Sequence, residues 1–332
     1  MLLGLISAAF AAPPPGYTLV WSDEFNGTAL DTNNWSYDTG GNWPSGQQQF
    51  YTNGLNMSFE NGSAILWAKK QTYGLSAYTS CYITTQGKRE FKYGYIEVRL
   101  KGPCGRGPWP FFSLWGKNYP WPECGAIELY DQMTGPQNFI TDPGDSGYVA
   151  GCYFKGASNP QVFESAVHKY TDRLSNDYHL YAIEWDSLGI KYSFDGNQFL
   201  EYDTINASYN SSTFHQPYFL NANLVVYGYI TDTTIFPQKM YIDYVRVYQK
   251  STQTVANPPK RMNITLPNPS AAQLRVYNLQ GRLMGDYTDM VRRLKPGENA
   301  MKEIASNLPI GTYVIRLLDG VKTVSEKLAV SR

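Results

Sequence analysis

Met240-Tyr-Ile-Asp-Tyr-Val-Arg-Val-Tyr248 is the stretch whose reading decides the fold. From Tyr241 to Tyr248 the residues alternate in steps of two, the period of a β-strand with two different faces. The same alternation recurs in Ile65-Leu-Trp-Ala68, Tyr95-Ile-Glu-Val-Arg-Leu100 and Tyr181-Ala-Ile-Glu-Trp185. Gly, Asn and Pro break the chain between these runs, and long amphipathic helical windows are absent. Many short strands from Tyr17 to Lys250 predict an all-β protein built as a large antiparallel two-sheet sandwich.

Outward from this core the chain divides further. Met1 to Ala12 is apolar, with small residues near its end, and reads as a secretory signal peptide lacking its basic start. It is too short to span a bilayer. Residues 251–262, centred on Asn257-Pro-Pro-Lys260, read as a linker. Residues 263–332 read as a second, small β-sandwich with strands at Leu274–Leu279, Tyr313–Leu318 and Val321–Val330, and Asp319-Gly320 is a hairpin signal. Lys+Arg and Asp+Glu both number 28, so net charge gives no footprint for nucleic acid. Tyr, Phe and Trp number 27, 15 and 8, a richness that fits either stacking on sugar rings or a large sandwich of aromatic strands. Of the four cysteines, Cys81, Cys104, Cys124 and Cys152, the pair Cys104 and Cys124 flanks one loop-rich stretch and is the favoured disulfide of an exported chain. The spacings match no zinc pattern.

The chemistry concentrates in Trp121-Pro-Glu-Cys-Gly-Ala-Ile-Glu-Leu-Tyr-Asp-Gln-Met-Thr-Gly135. In a regular strand Ala126, Glu128 and Tyr130 share one face, and Asp131 falls on the other, which is core in a two-layer sandwich. An unpaired carboxylate there is costly. A β-bulge would bring Asp131 round to the side of Glu128. The strand therefore predicts two carboxyls facing a cleft, with Trp109, Trp115, Trp121 and Tyr130 crowding the same region.

This region resembles glycoside hydrolase family 16, the β-jellyroll (concanavalin A-like) endo-glucanases. The resemblance covers Tyr17 to Lys250. It rests on Trp21-Ser-Asp-Glu-Phe-Asn-Gly27, Leu30-Asp-Thr-Asn-Asn-Trp35, Ile83-Thr-Thr-Gln-Gly-Lys88, Phe91-Lys-Tyr-Gly-Tyr-Ile-Glu-Val-Arg99, Gly107-Pro-Trp-Pro-Phe-Phe112, Tyr178-His-Leu-Tyr-Ala-Ile-Glu-Trp185, Phe194-Asp-Gly196 and Met240–Tyr248. The family's catalytic strand reads Glu-Ile-Asp-Ile-Met-Glu. Laid on this chain, its nucleophile position is Ala126, its middle Asp is Glu128 and its acid/base is Asp131. Retaining hydrolysis needs two carboxyls about 5–5.5 Å apart, one of them a nucleophile, and Ala126 has no nucleophilic atom. Other positions depart from the pattern: a charged sugar contact becomes Gln47, an Arg becomes Tyr82, a Trp becomes Ser113, and a His aligns with Tyr153. The resemblance also implies a structural calcium held by Asp243 with Gly62 as a carbonyl donor, and no cofactor for chemistry. In the tail, Leu266-Pro-Asn-Pro269, Leu274-Arg-Val-Tyr-Asn-Leu-Gln-Gly-Arg282, Leu308-Pro-Ile-Gly-Thr-Tyr-Val-Ile-Arg316 and Lys327-Leu-Ala-Val330 resemble the sorting domain of type 9 secretion. That implies the type 9 machinery as a partner and a secreted or outer-surface location.

Three readings follow. The first is a monomeric, secreted or surface-attached protein that holds β-glucan through Gln47, Tyr82, Trp109, Trp115, Trp121 and Tyr130, with hydrolysis impaired or lost. The second is an active endo-β-1,3(4)-glucanase using Glu128 and Asp131 as a rearranged pair. The third is a surface adhesin or structural protein. β-1,3 and mixed-linkage glucans lead as ligands because the segment around Trp121 resembles that branch.

Overall fold

The computed structural model describes residues 13–41, 46–105, 107–132, 145–156, 162–204, 213–227, 230, 234–250, 272–278, 281–293, 304, 307–308, 311–319 and 322–330. The leader (1–12) and the linker (251–262) lie outside the described residues. The chain separates into two compact units, Met1–Ser251 and Thr252–Arg332.

The first unit is a sandwich of two antiparallel sheets, strands being numbered in chain order. One sheet has eight strands. In space they run β15 (Asn197–Asp203), β14 (Gly189–Phe194), β13 (His179–Trp185), β8 (Gly94–Lys101), β17 (Gln238–Lys250), β5 (Ser63–Ala68) and β4 (Met57–Glu60), and β1 (Tyr17–Asp23) also pairs with β17. The facing sheet has seven strands: β12 (Val162–Lys169), β11 (Gly147–Phe154), β10 (Ala126–Asp131), β9 (Pro108–Gly116), β16 (Tyr218–Val226), β7 (Tyr82–Thr84) and β2 (Ser36–Tyr37). A short parallel pair, β3 (Gln49–Tyr51) and β6 (Tyr78–Ser80), adjoins them. This is the all-β two-sheet sandwich predicted from the alternation, with the jellyroll architecture that the family resemblance implies.

The period-two pattern explains the core. Ile96, Val98 and Leu100 of β8 and Ile242, Val245 and Val247 of β17 point inward from one sheet. Phe112 and Leu114 of β9, Ile127 and Leu129 of β10, and Leu220, Ala222 and Leu224 of β16 meet them from the other. Burial of each such side chain contributes roughly 1.5–3 kcal/mol. The alternate residues of the seven-stranded sheet are thereby committed to its open face. Gly125 sets the entry into β10: its φ is +69°, and a Cβ there would run into Thr213 and Tyr218.

The second unit contains an antiparallel sheet ordered β19 (Leu283–Asp286), β18 (Ala272–Asn278), β20 (Gly311–Asp319) and β21 (Lys322–Val330), with a short helix α1 (Thr288–Arg292). Leu274, Val276, Tyr313, Ile315 and Leu317 are part of its core. β20 and β21 pair from Asp319↔Lys322 outward, and Gly320 lies outside the described residues.

The expected Cys104–Cys124 disulfide is not formed; all four cysteines are free thiols. Cys104 precedes β9 and Cys124 follows it, so the whole strand separates them. Nine residues of extended chain span roughly 25–30 Å, whereas bridged Cα atoms lie within about 7 Å.

Candidate active site

β10 carries the site, and its register shows why. Against β9, Ala126 faces Trp115 and Glu128 faces Ser113, but Tyr130 faces Phe112 and Asp131 faces Phe111. Leu129 is the extra residue of a β-bulge, and the register on the β11 side shifts over the same residues. The bulge places Ala126, Glu128 and Asp131 together on the open face. Tyr130 is moved to the opposite face. It is fully buried, with ring centroids 4.8 Å from Tyr181 and 5.7 Å from Tyr148, and its hydroxyl bonds Gln132. The expectation that Tyr130 lines the cleft is thus corrected. One extra backbone residue reverses the parity of everything after it.

Glu128 and Asp131 are both 5% exposed and lie within hydrogen-bonding reach of each other. Burial, then the charge and hydrogen bond of Asp131, push the Glu128 carboxyl well above the usual carboxylate range. The Trp109 indole donates to Asp131 Oδ1 at 2.7 Å. Of the pair, Glu128 is the member pushed toward the neutral form. Its Oε2 has no partner and faces the cleft as an open polar atom.

Where the resemblance places a nucleophile, Ala126 is fully buried between Trp115 of β9 and Tyr153 of β11. Trp115 stacks on Trp121 at 5.2 Å, Trp121 meets Tyr153 at 5.6 Å, and Tyr153 lies flat on Phe163 at 3.9 Å. Trp121 is 41% exposed, so this aromatic row presents one open ring to solvent. On the other side of the carboxyls, Trp109 meets Phe111 at 4.6 Å and Tyr227 at 5.0 Å.

Gln47 and Tyr82 belong to a separate chain of contacts. Gln47 Oε1 accepts from Gln49 Nε2 at 2.9 Å and from the Tyr51 hydroxyl at 3.5 Å. The Tyr51 ring meets Tyr82 edge-on at 5.4 Å, and the Tyr82 hydroxyl donates to Asn221 Oδ1 at 3.1 Å. Gln49 Oε1 in turn accepts from the Val226 amide at 2.8 Å, which ties this loop to the end of β16. Asn221, Asn223, Gln49 and Phe163 were missed by the sequence reading. The signal was available in β16, where Phe219, Asn221, Asn223 and Val225 alternate with Leu220, Ala222, Leu224 and Val226.

The expected metal residues lie on the other sheet. Gly62 closes the Asn61-Gly62 turn between β4 and β5, with φ of 52° and 74° at the two positions. Asp243 follows Ile242, which pairs with Ala64 just beyond that turn. Its Oδ2 is held by Arg99 Nη1 at 2.5 Å. Among the described residues, no group of three His, Cys, Asp or Glu side chains could hold a metal ion. Asp243 therefore brings one carboxylate, already paired, and any site there would depend on backbone oxygens.

A jellyroll with two carboxyls on a bulged central strand, flanked by aromatic rings, defines a protein on a glycan-hydrolase scaffold. The profile of the glycosyl hydrolases family 16 matches residues 43–246, and the chain belongs to that family. The chain is 30% identical to the Beta-glucanase of Rhodothermus marinus over 71% of its own length and 86% of that protein. It is 31% identical to the Clotting factor G alpha subunit of Tachypleus tridentatus over 72% of its own length, but spans only 35% of that protein. Among solved structures, the laminarinase from Flavobacterium sp. UMI-01 superposes with a TM-score of 0.61 at 32% identity, covering 70% of this chain and 100% of that one.

Proposed function

We propose that this protein holds β-glucan on a family 16 scaffold and does not cut it by the retaining mechanism. The observation that carries the reading is Ala126: the strand is bulged as the chemistry requires, yet the first of its cleft-facing positions is a methyl group covered by rings. Glu128 does not replace the missing nucleophile. A nucleophile must be ionised, and Glu128 is the member of the pair pushed toward the neutral form. Contact between the two carboxyls also leaves no room for an anomeric carbon between them, which retaining enzymes accommodate with about 5–5.5 Å. The aromatic rows at Trp115–Trp121–Tyr153 and Trp109–Tyr227 remain as platforms for sugar rings.

The reading includes export, with the C-terminal unit serving type 9 secretion and leaving the protein secreted or on the outer surface, and a monomeric state. It also includes a calcium ion at Asp243 and Gly62, as a stabiliser only. Arg99 already neutralises Asp243, so that ion adds little.

The test pairs reducing-end release with affinity electrophoresis in laminarin and lichenan. Retardation without release is expected. Release by the wild type that disappears in Glu128→Gln supports the second reading, an active endo-glucanase, for which the shared open face of Glu128 and Asp131 is the supporting observation. Neither release nor retardation in any polysaccharide leaves the adhesin.

A further inference from the structure

The register of the open face builds a notch at its centre. Ser113 lies on β9 between Phe111 and Trp115, two large rings on the same face of the same strand. Across the sheet it is flanked in register by Glu128 on β10 and by Asn221 on β16. The smallest of these side chains is therefore the floor, and the four larger ones are the walls. Glu128 and Asn221 stand two strand spacings apart, about 10 Å between backbones, and their side chains narrow that gap from either side.

Two walls end in unsatisfied polar atoms. Asn221 is 2% exposed and its Nδ2 has no partner; Glu128 is 5% exposed and its Oε2 has none. Leaving such a group unpaired is costly, so it is tolerated where a ligand completes it. The Tyr82 hydroxyl engages Asn221 Oδ1 from the β7 side, which turns the Nδ2 donor toward β9 and Ser113. The unpartnered Glu128 Oε2 offers an acceptor from the opposite wall, and the Ser113 hydroxyl can donate or accept. Asp131 stands beside Glu128 and disfavours an anion in the same space.

We infer that Ser113, Asn221 and Glu128 form a hydrogen-bonding subsite that takes a neutral, oxygen-bearing substituent of a pyranose, the hydroxymethyl group of a β-glucan residue. The subsite selects neutral glucans over carboxylated ones. This rests on the glycan-holding reading of the cleft and adds which side chains set its specificity.

The experiment is affinity electrophoresis of the full chain in a neutral β-1,3-glucan and in its carboxymethylated derivative. Wild type should bind the neutral polymer at least tenfold more tightly. Asn221→Asp, which keeps the shape but removes the donor, should weaken that binding about tenfold, the loss of one buried hydrogen bond. Ser113→Trp fills the notch and should weaken it further. A melting curve for each variant separates lost binding from lost folding, and Asn221→Asp stands alone if Ser113→Trp does not fold. Wild-type retardation with Asn221→Asp unchanged overturns the subsite and leaves the glycan-holding reading intact. Equal binding of both polymers overturns the neutral selectivity. No wild-type retardation overturns the reading and the subsite together.

Discussion

Replacing Glu97 by Gln should make the first unit less sensitive to pH. Glu97 lies on β8, on the outer face of the eight-stranded sheet, between Ala182 of β13 and Arg246 of β17. It is 2% exposed. The Tyr248 hydroxyl donates to its Oε1 at 3.2 Å, and its Oε2 has no partner. Arg246 does not rescue it. That guanidinium makes two bonds to Glu24, at 2.9 and 2.8 Å, and stays 3.9 Å from Glu97. Burial thus outweighs the favourable contacts and raises the Glu97 carboxyl from 4.5 to about 7.

The sign follows from linkage. A folded state that holds the proton more tightly than the unfolded chain is favoured while the group is protonated. Its contribution is complete below about 4.5 and is lost as pH rises through about 7. At about 1.4 kcal/mol per pH unit, the loss by pH 8 is about 3 kcal/mol. For a unit of this size that is roughly 6–12 °C in Tm. Gln keeps an acceptor for Tyr248 and cannot ionise. Melting curves of wild type and Glu97→Gln should nearly coincide at pH 4.5, and the variant should be the more stable at pH 8 by up to that amount. Every other titrating group is common to both proteins and cancels in the difference. A gap that is the same at both pH values would refute the assignment of the burial penalty to Glu97.

Other perturbations have direct readouts. Trp121→Ala should weaken retardation in laminarin about tenfold with little change in Tm, because the ring is 41% exposed and rests on Trp115 rather than in the core. A thiol reagent should label one cysteine, the exposed Cys104, in the native protein and all four after unfolding; mild reductant should leave Tm unchanged. Chelation by EDTA should lower Tm by less than about 2 °C, since Arg99 already neutralises Asp243; a larger drop would give calcium a major structural role.

The two-sheet sandwich was legible because alternation is a local property of each strand. β17 and β8 announce their inward faces residue by residue, and the tertiary structure only pairs them. The bulge in β10 was legible for another reason: a regular strand would have buried Asp131 in the core. Tyr130 departs from expectation because the bulge has a second consequence. A bulge that turns Asp131 outward must turn Tyr130 inward, and Tyr is at home on either face. The disulfide failed on geometry that spacing hides, since Cys104 and Cys124 bracket a full-length strand. Asn221 and Asn223 were overlooked because polar residues on a half-buried strand look like ordinary surface until the neighbouring register shows them beside Ser113 and Phe111.

Under the proposed reading, the carboxyl pair weighs against hydrolysis as much as the missing nucleophile does. Had Glu128 and Asp131 stood apart, each could have kept its own charge and one could have served as base while the other served as acid. They are in contact, buried, and unequally supported: Trp109 bonds Asp131, while burial and that neighbouring charge act on Glu128. Such a pair favours the neutral form of Glu128 and leaves its Oε2 open. Ala126, under Trp115 and Tyr153, carries no atom able to attack an anomeric carbon. Turning this strand back to chemistry would need a carboxylate at Ala126 and space above it, and the rings that now cover Ala126 belong to the same row that offers Trp121 to a sugar. Gaining the nucleophile would therefore disturb that row, so under the proposed reading holding a glycan and cutting it compete for the same few side chains.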